Sequence, residues 1–316
     1  MHAGATWRSA WAAVVLIGVS LAAPATVHAS HISCGTTIST DTTLDSDLVG
    51  CPGNGIEIAA SGVTLDLAGH TISGTQPGLG VVTGPGASRV TVMNGTVRDF
   101  NTAIRLGPGS SYVARNLSLH DSHVGLLLAG VNGALVKRIS ASGITGSAIH
   151  APASNGVSAL RNHLFANSSG MGGIGFANGV IAQNVVEENA VYGFFFFNAT
   201  GTVFDRNVIR DNGTFGISLG EGSTGNRIMH NRITGSGMDG IALFAAAGPN
   251  TLERNRSDRN ADDGFEIGVA GATLIRNTAF RNGDLGFEAP LGAALARRNM
   301  ARHNGDPRQC IGIPCR

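Results

Sequence analysis

The sequence predicts an all-β solenoid, a parallel β-helix of about 11 coils with about 23 residues in each coil. Eleven segments begin with a Gly or Ala that is followed by apolar residues, and successive starts are 20 to 25 residues apart. Each segment holds three short apolar runs that alternate in and out, as strands do, and that are separated by Gly or Asn. Repeats of this length with three short strands are typical of a β-helix. The predicted starts are Gly55, Gly80, Ala103, Gly125, Ala148, Gly173, Gly193, Gly216, Gly240, Gly264 and Gly286.

Asn recurs at two fixed places in the repeat. We expect these places to be corners, because Asn tolerates left-handed backbone angles, and we expect stacked amides to form hydrogen-bonded ladders. Several of these residues lie in N-x-[ST] glycosylation motifs, but their regular spacing favours the structural role. The first column comprises Asn116, Asn162, Asn184, Asn207, Asn231, Asn255, Asn277 and Asn299, and the second comprises Asn167, Asn189, Asn212, Asn260, Asn282 and Asn304.

The first 29 residues predict a signal peptide. Arg8 supplies a positive charge, residues 10–23 are mainly apolar, and Val27-His28-Ala29 is a small-x-small cleavage signal. The apolar stretch is too short for a membrane span, and no second span follows. We therefore expect a mature chain that begins near Ser30 and is secreted, either to the extracellular space or to the periplasm or cell envelope.

Four cysteines fit an oxidising compartment. Three pairings are possible, and Cys34–Cys51 with Cys310–Cys315 is favoured because each pair then lies outside the repeats, where a cap must cover open strand edges. A zinc site is disfavoured, since the pairs lie at opposite ends of the rod. The predicted organisation is a signal peptide (1–29), an N-terminal cap (30–54), the β-helix (55–307) and a C-terminal disulfide cap (308–316).

The net charge of the chain is close to zero. The formal value is +1 at pH 7, so bulk electrostatics gives no case for nucleic acid or an anionic membrane as a partner. Protein partners cannot be named from the sequence.

Two stretches resemble a known family. The segment GVTLDLAGHTISG, residues 62–74, resembles the opening coil of right-handed parallel β-helix proteins, and the Cys34-Gly35 and Cys51-Pro52-Gly53 segments resemble the capped N-terminus of secreted bacterial members. The mature chain is similar to the pectate-lyase-like superfamily, which implies a single-stranded right-handed parallel β-helix. That superfamily includes polysaccharide lyases, epimerases, glycoside hydrolases and non-enzymatic surface proteins. The Asp-Pro-His-Asp segment of alginate epimerases and the ordered polygalacturonase motifs are absent, so the activity must be argued from a site.

An acidic cluster is predicted in the last coils. On the first strand of each coil, the residue two after the start should point outward, which places Glu266 and Glu288 about 5 Å apart. Close carboxylates raise one another's pKa or recruit a cation, and calcium prefers such oxygen ligands. No cofactor is required by the sequence, and calcium is the one that this cluster would suit. The candidate metal ligands are Asp239, Asp263, Glu266, Asp284 and Glu288.

The same carboxylates are the candidate catalytic groups. Glu266, Glu288 and Asp263 would perform the chemistry, with Arg259 or Arg281 neutralising a uronate, and paired carboxylates also suit glycoside hydrolysis. The alternative is a solvated face on which each acid pairs with an arginine for structural reasons.

An aromatic patch is predicted in the neighbouring coils. Phe194 and Phe196 should point inward and Phe195 outward, and exposed aromatic rings on a flat sheet suit stacking against sugars. The alternative is that Phe197 turns inward and loops cover the rest. The candidate substrate-binding residues are Tyr192, Phe195, Phe197, Phe215 and Phe244.

Two functions remain open from the sequence. In the first, the protein binds an extracellular acidic polysaccharide and cleaves or modifies it, as a polysaccharide lyase or another carbohydrate-active enzyme would. In the second, it is a non-catalytic envelope or secreted protein that offers a flat sheet to a glycan or protein. Convergence of the five acids beside an arginine would favour the first.

Overall fold

The computed structural model describes residues 31–244, 248–289 and 294–316. Within them the chain forms a right-handed, all-parallel β-solenoid of about 12 turns. Among the residues described, no helix has the length and apolar character needed to cross a membrane. The predicted signal peptide, residues 1–29, lies outside the described residues.

One sheet contains the first strand of every coil, and we call it the first-strand sheet. It has 13 strands, two more than the eleven predicted starts, because a segment from each predicted cap adds one strand. The strands are Thr36–Ile38, Ile56–Ile58, Leu79–Thr83, Thr102–Leu106, Val124–Leu128, Ser147–His150, Ser169–Ile174, Tyr192–Phe197, Ile217–Leu219, Ile241–Leu243, Phe265–Ile267, Phe287–Glu288 and Cys310–Ile311.

The second and third strands of the coils form the other walls. They are continuous with one another near the N-terminus, where three long strands run through both positions. The second-position strands, including those three, are Thr42–Thr43, Thr64–Asp66, Thr91–Arg98, Gly109–His120, Val131–Ser142, Asn155–Leu160, Val180–Ala182, Val203–Asp205, Arg227–Met229, Thr251–Glu253, Ala272–Ile275 and Ala294–Arg297. The third-position strands are Leu48–Cys51, Thr71–Gly74, His163–Phe165, Val185–Glu187, Val208–Arg210, Arg232–Thr234, Arg256–Asp258, Thr278–Phe280 and Met300–Arg302.

The register of the first-strand sheet confirms ten of the eleven predicted starts and corrects one. Gly172 pairs with His150 on one side and Phe195 on the other, so Gly170, rather than Gly173, occupies the start position of the sixth coil. The run from Gly170 to Gly173 offers several glycines, and the sequence alone does not distinguish them.

The disulfides Cys34–Cys51 and Cys310–Cys315 are present and lie at the two ends of the solenoid. Strand Thr36–Ile38 pairs with Ile56–Ile58, and Cys310–Ile311 pairs with Phe287–Glu288. Each disulfide therefore anchors a terminal segment that continues the sheet by one strand.

The Asn columns form buried ladders. The side-chain amide of Asn207 donates to Ile181 O at 2.9 Å and to Asn231 Oδ1 at 2.9 Å, and the backbone N–H of Asn207 donates to the same oxygen at 2.9 Å. This pattern repeats from Asn162 to Asn299. Asn167, Asn212 and Asn255 lie in glycosylation motifs but are buried. The ladder, rather than glycosylation, therefore accounts for Asn at these positions.

The predicted reason for the Asn columns is wrong in one respect. The left-handed backbone conformation belongs to the residue before most of these Asn, as at Arg206 (φ 53°), Arg254 (φ 53°) and Arg276 (φ 57°). The Asn that follows turns its amide into the wall, where it satisfies carbonyl and N–H groups that the corner leaves outside the strand ladder.

Candidate functional site

The outward column of the first-strand sheet changes character toward the C-terminal end. Small side chains separate its aromatic part from its acidic part, because Ser218 and Ala242 lie between Phe195 and Glu266 and are buried. On the next strand of the sheet, Glu288 is the register partner of Glu266. The aromatic and acidic residues therefore share one face of one sheet.

Four of the five predicted aromatic residues form a connected cluster, and Phe197 lies on the same strand as Tyr192 and Phe195. The rings of Tyr192 and Phe195 are 5.2 Å apart, those of Tyr192 and Phe215 are 6.1 Å apart, and those of Phe215 and Phe244 are 5.2 Å apart. Phe215 is buried, whereas Phe197 and Phe244 are 41% and 37% exposed. The alternative in which Phe197 turns inward is wrong, since Phe194 and Phe196 fill the interior.

Glycines position the partly exposed ring of Phe195 and the exposed ring of Phe197. A side chain at Gly172 would overlap the ring of Phe195, and one at Gly220 would overlap the ring of Phe197. The rings lie flat against neighbouring coils because those positions carry no Cβ. Phe195 and Phe197 are thus held by the sheet itself.

Asp239 and Asp263 occupy the turn position that Tyr192 and Phe215 occupy in earlier coils. One carboxylate oxygen of Asp239 accepts the N–H of Asp263 at 3.0 Å, and one oxygen of Asp263 accepts the N–H of Leu285 at 2.7 Å. The two aspartates therefore connect successive coils with one oxygen each. Both are buried.

Carboxylates converge at this end of the sheet. Asp263, Glu266 and Glu288 each place an oxygen within 4.8 Å of the others, and Asp262, Asp263 and Asp284 do the same. Glu266 and Glu288 are partly exposed and Asp284 is exposed. Asp263 belongs to both groups, so it lies at the centre of the cluster.

Three carboxyl groups at this end of the sheet, those of Asp239, Asp263 and Glu266, hold protons to unusually high pH. Burial, reinforced by the neighbouring acids, raises the pKa of Asp263 to about 8, although the N–H of Leu285 works against the shift. For the same main reason, the pKa of Glu266 rises to about 7 and that of Asp239 to about 6. Neighbouring carboxyl groups whose pKa values lie near neutral pH, and which have no cation among them, are suited to bind a cation or to transfer protons.

The structure does not bring Arg259 and Arg281 to the acids. Both arginines line a separate cavity beside the third-position strands, and no ion pair among the described residues joins an arginine to Asp239, Asp263, Glu266, Asp284 or Glu288. Of the five predicted acids, Asp263, Glu266, Asp284 and Glu288 lie in these groups of close oxygens and Asp239 does not. The alternative in which each acid pairs with its own arginine is wrong.

The fold class of this protein is the parallel β-solenoid. One of its sheets carries both the aromatic and the acidic surface. Residues 79–229 and 198–305 match the family model described as "right handed beta helix region". The match covers more than half of the chain, so the chain belongs to this family. No curated protein matches the chain.

Solved structures share the fold. The A-module of the mannuronan C-5 epimerase AlgE4 from Azotobacter vinelandii superposes with a TM-score of 0.57 at 14% identity, covering 78% of this chain and 87% of that one. The periplasmic alginate epimerase AlgG gives 0.55 at 14% identity, covering 87% and 75%. The Streptococcus pneumoniae surface protein and adhesin PfbA gives 0.53 at 11% identity, covering 84% and 87%. At these identities the likeness concerns the fold alone.

Proposed function

We propose that the protein is exported and binds an acidic polysaccharide along the first-strand sheet, across the aromatic cluster and the carboxylate cluster. The observation that carries this proposal is the set of converging carboxylates that have no cationic partner among the described residues, next to exposed aromatic rings on the same sheet. Clustered acids that are buried or half-buried and lack a cation destabilise a fold, so their presence points to a ligand.

The aromatic cluster suits a sugar chain. Phe197 and Phe244 expose ring surface two coils apart, and sugar rings present C–H faces that pack on aromatic rings. Because the rings of Phe195 and Phe197 rest on glycines of adjacent coils, these two side chains would lose little entropy on binding.

The carboxylate cluster explains how an acidic polymer would be held. Once they are ionised, Asp263, Glu266 and Glu288 would repel its negative charges unless a cation lay between them. Calcium prefers carboxylate oxygens and would bridge these side chains to the polymer. The donor set fits, since three acids converge and Asp263 still has one oxygen that is not used by the backbone bond.

Several observations support this class of ligand and an exported location. Two disulfides suit an oxidising compartment, and the predicted signal peptide agrees with export. AlgE4 and AlgG are named as epimerases of mannuronan and alginate, and PfbA as a surface adhesin. The first two favour a polysaccharide ligand, and the third shows the same fold in a protein named for adhesion.

Catalysis is the second candidate function, and the pKa of Glu266 favours it. A group with a pKa of about 7 both accepts and donates protons at neutral pH. Incubation with pectate, alginate and hyaluronan, followed by the ultraviolet absorbance of unsaturated uronates, tests cleavage by elimination. A calcium-dependent rise in absorbance establishes a lyase, and a flat trace removes elimination from the candidates.

Replacing both Glu266 and Glu288 by Gln will weaken calcium binding at least tenfold, because two of three charged ligands become neutral. Calorimetry with calcium chloride measures this directly, and the same variant will lose calcium-dependent binding to pectate or alginate. Glu57→Gln is the matched control, since Glu57 lies in the same outward column at the other end of the sheet. Equal polymer binding in calcium and in chelator would refute the bridging role.

Replacing Phe197 by Ala will weaken polymer binding about 5- to 10-fold, the equivalent of about 1 kcal/mol for one lost stacking contact. Val49→Ala is the control, because Val49 is also an exposed apolar residue but lies in a third-position strand. Affinity electrophoresis in gels that contain the polymer measures both variants. If the two lose affinity equally, the aromatic cluster is not the binding surface.

A further inference from the structure

A cavity lined by arginines lies on another wall of the solenoid. It has a volume of about 310 Å³ and opens beside the last third-position strands, where four arginines, Asp258, Phe280 and His303 line it. None of its residues belongs to the carboxylate or aromatic clusters. The four arginines are Arg256, Arg259, Arg281 and Arg302.

The stacking of coils builds this cavity. Asp258, Phe280 and Arg302 are register partners on three successive strands. Arg259 and Arg281 directly follow two of those strands and adopt left-handed backbone angles, with φ of 55° and 57°. Residues that are distant in sequence are therefore fixed at one place by the strand ladder.

Asp258 is the buried polar group of the cavity. Its side chain is 8% exposed. One oxygen accepts a hydrogen bond from Arg256 Nε, whereas Oδ1 is buried and has no hydrogen-bond partner among the described residues. A buried carboxylate oxygen is almost always satisfied, so Oδ1 indicates a donor that the protein itself does not supply.

The arginines make the cavity strongly positive. Four guanidinium groups face a single carboxylate, and of the described residues only Asp258 forms an ion pair with any of them. Arg259, Arg281 and Arg302 are exposed and have no described acidic partner. Guanidinium groups bind carboxylate and sulfate through paired N–H donors.

Phe280 supplies an apolar surface between these charges. The guanidinium carbon of Arg256 lies 5.6 Å from the centre of the ring, and the ring is partly exposed. A ligand that satisfies the whole cavity needs an anion for the arginines, a hydroxyl for Asp258 and a C–H surface for the ring.

We propose that this cavity binds one anionic sugar unit. Arg259, Arg281 and Arg302 hold its carboxylate or sulfate, and one of its hydroxyl groups donates to Asp258 Oδ1. This site lies on a different wall from the proposed polysaccharide surface and does not depend on it.

Calorimetry with glucuronate in the presence of chelator tests the proposal, because chelator removes the calcium-bridged binding proposed for the first-strand sheet. Glucose lacks the charge and inorganic sulfate lacks the hydroxyl groups. We expect glucuronate to bind at least tenfold more tightly than either. No binding of glucuronate, or sulfate binding of equal strength, would overturn the assignment.

Three variants locate the binding. Arg281→Gln is expected to weaken glucuronate binding at least tenfold, whereas Arg276→Gln, at another exposed corner with φ of 57°, leaves it unchanged. Asp258→Asn turns the free acceptor into a donor, so it lowers the preference for glucuronate over sulfate, provided that its melting temperature shows a folded protein. Equal losses in the Arg281 and Arg276 variants would refute the site.

Tetragalacturonate distinguishes the two sources of such a sugar. Binding tighter than that of glucuronate identifies a residue of a polymer as the ligand, and equal binding identifies a free sugar acid. Either result supports the cavity as a sugar-acid site, and failure of both to bind contradicts it.

Discussion

Replacing Asp263 by Asn will raise the free energy of unfolding by about 3 kcal/mol at pH 8 and change it little at pH 4. The pKa of this carboxyl is about 8 in the folded protein and has a usual value of 3.8. Each pH unit between these values is worth about 1.4 kcal/mol, and we halve the sum because solvent near Glu266 and Glu288 screens part of it. Asn retains an oxygen that can accept the N–H of Leu285.

The sign follows from proton linkage. Between pH 4 and 8 the folded protein binds a proton at Asp263 that the unfolded chain has lost, so stability falls as the pH rises through this window. Glu266 and Asp239 have raised pKa values as well and act in the same direction. The wild type should therefore be more stable at pH 5 than at pH 8, unless calcium neutralises the cluster.

Urea unfolding at pH 4, 6 and 8 measures this prediction. Asp306→Asn is the control, because Arg308 holds the pKa of Asp306 below its usual value, so its titration lies below the window. A gain from Asp263→Asn that is the same at pH 4 and pH 8 would show that the aspartate is not protonated in the fold. Calcium should stabilise the wild type more at pH 8 than at pH 5, since protonation competes with the metal.

The repeat made most of the fold predictable from sequence. Gly and Asn at a fixed period determine where corners fall, and alternation determines which side chains point outward, so Glu266 and Glu288 were expected as neighbours and are register partners. The terminal strands Thr36–Ile38 and Cys310–Ile311 were missed because the segments that contain them do not repeat.

The position of the arginines relative to the acids was not predictable in this way. Arg259 lies four residues from Asp263 in sequence, but it adopts a left-handed conformation at a corner and lines the cavity beside the third-position strands. Side-chain direction at a corner depends on local backbone angles that the two-residue alternation of strands does not specify. For the same reason, the cavity around Asp258 gave no signal in the sequence.

The walls of the solenoid depend on the Asn ladders, and replacing Asn231 by Ala will cost about 4 kcal/mol of stability. Its Oδ1 accepts the backbone N–H and the side-chain amide of Asn207, each at 2.9 Å. Its own amide donates to Phe204 O at 2.9 Å and to Asn255 Oδ1 at 3.0 Å. Alanine leaves the N–H and amide of Asn207 and the carbonyl of Phe204 without these partners, each at a cost of about 1–3 kcal/mol that local relaxation partly relieves. Asn255 Oδ1 keeps the backbone N–H of residue 231 at 3.0 Å.

Two further Asn→Ala variants set the scale for this loss. Asn299 ends the ladder, but its Oδ1 still accepts the N–H and the side-chain amide of Asn277 and its own amide donates to Leu274 O at 3.0 Å. Its replacement therefore orphans the same three kinds of group and should cost nearly as much. Asn155 bonds to Asn132 and Asn178 in an exposed ladder, where water replaces the amide, and its loss should cost less than about 1 kcal/mol. Denaturant midpoints that fall equally for Asn231 and Asn155 would show that stacking of the coils, rather than satisfaction of buried corner groups, determines the stability of the walls.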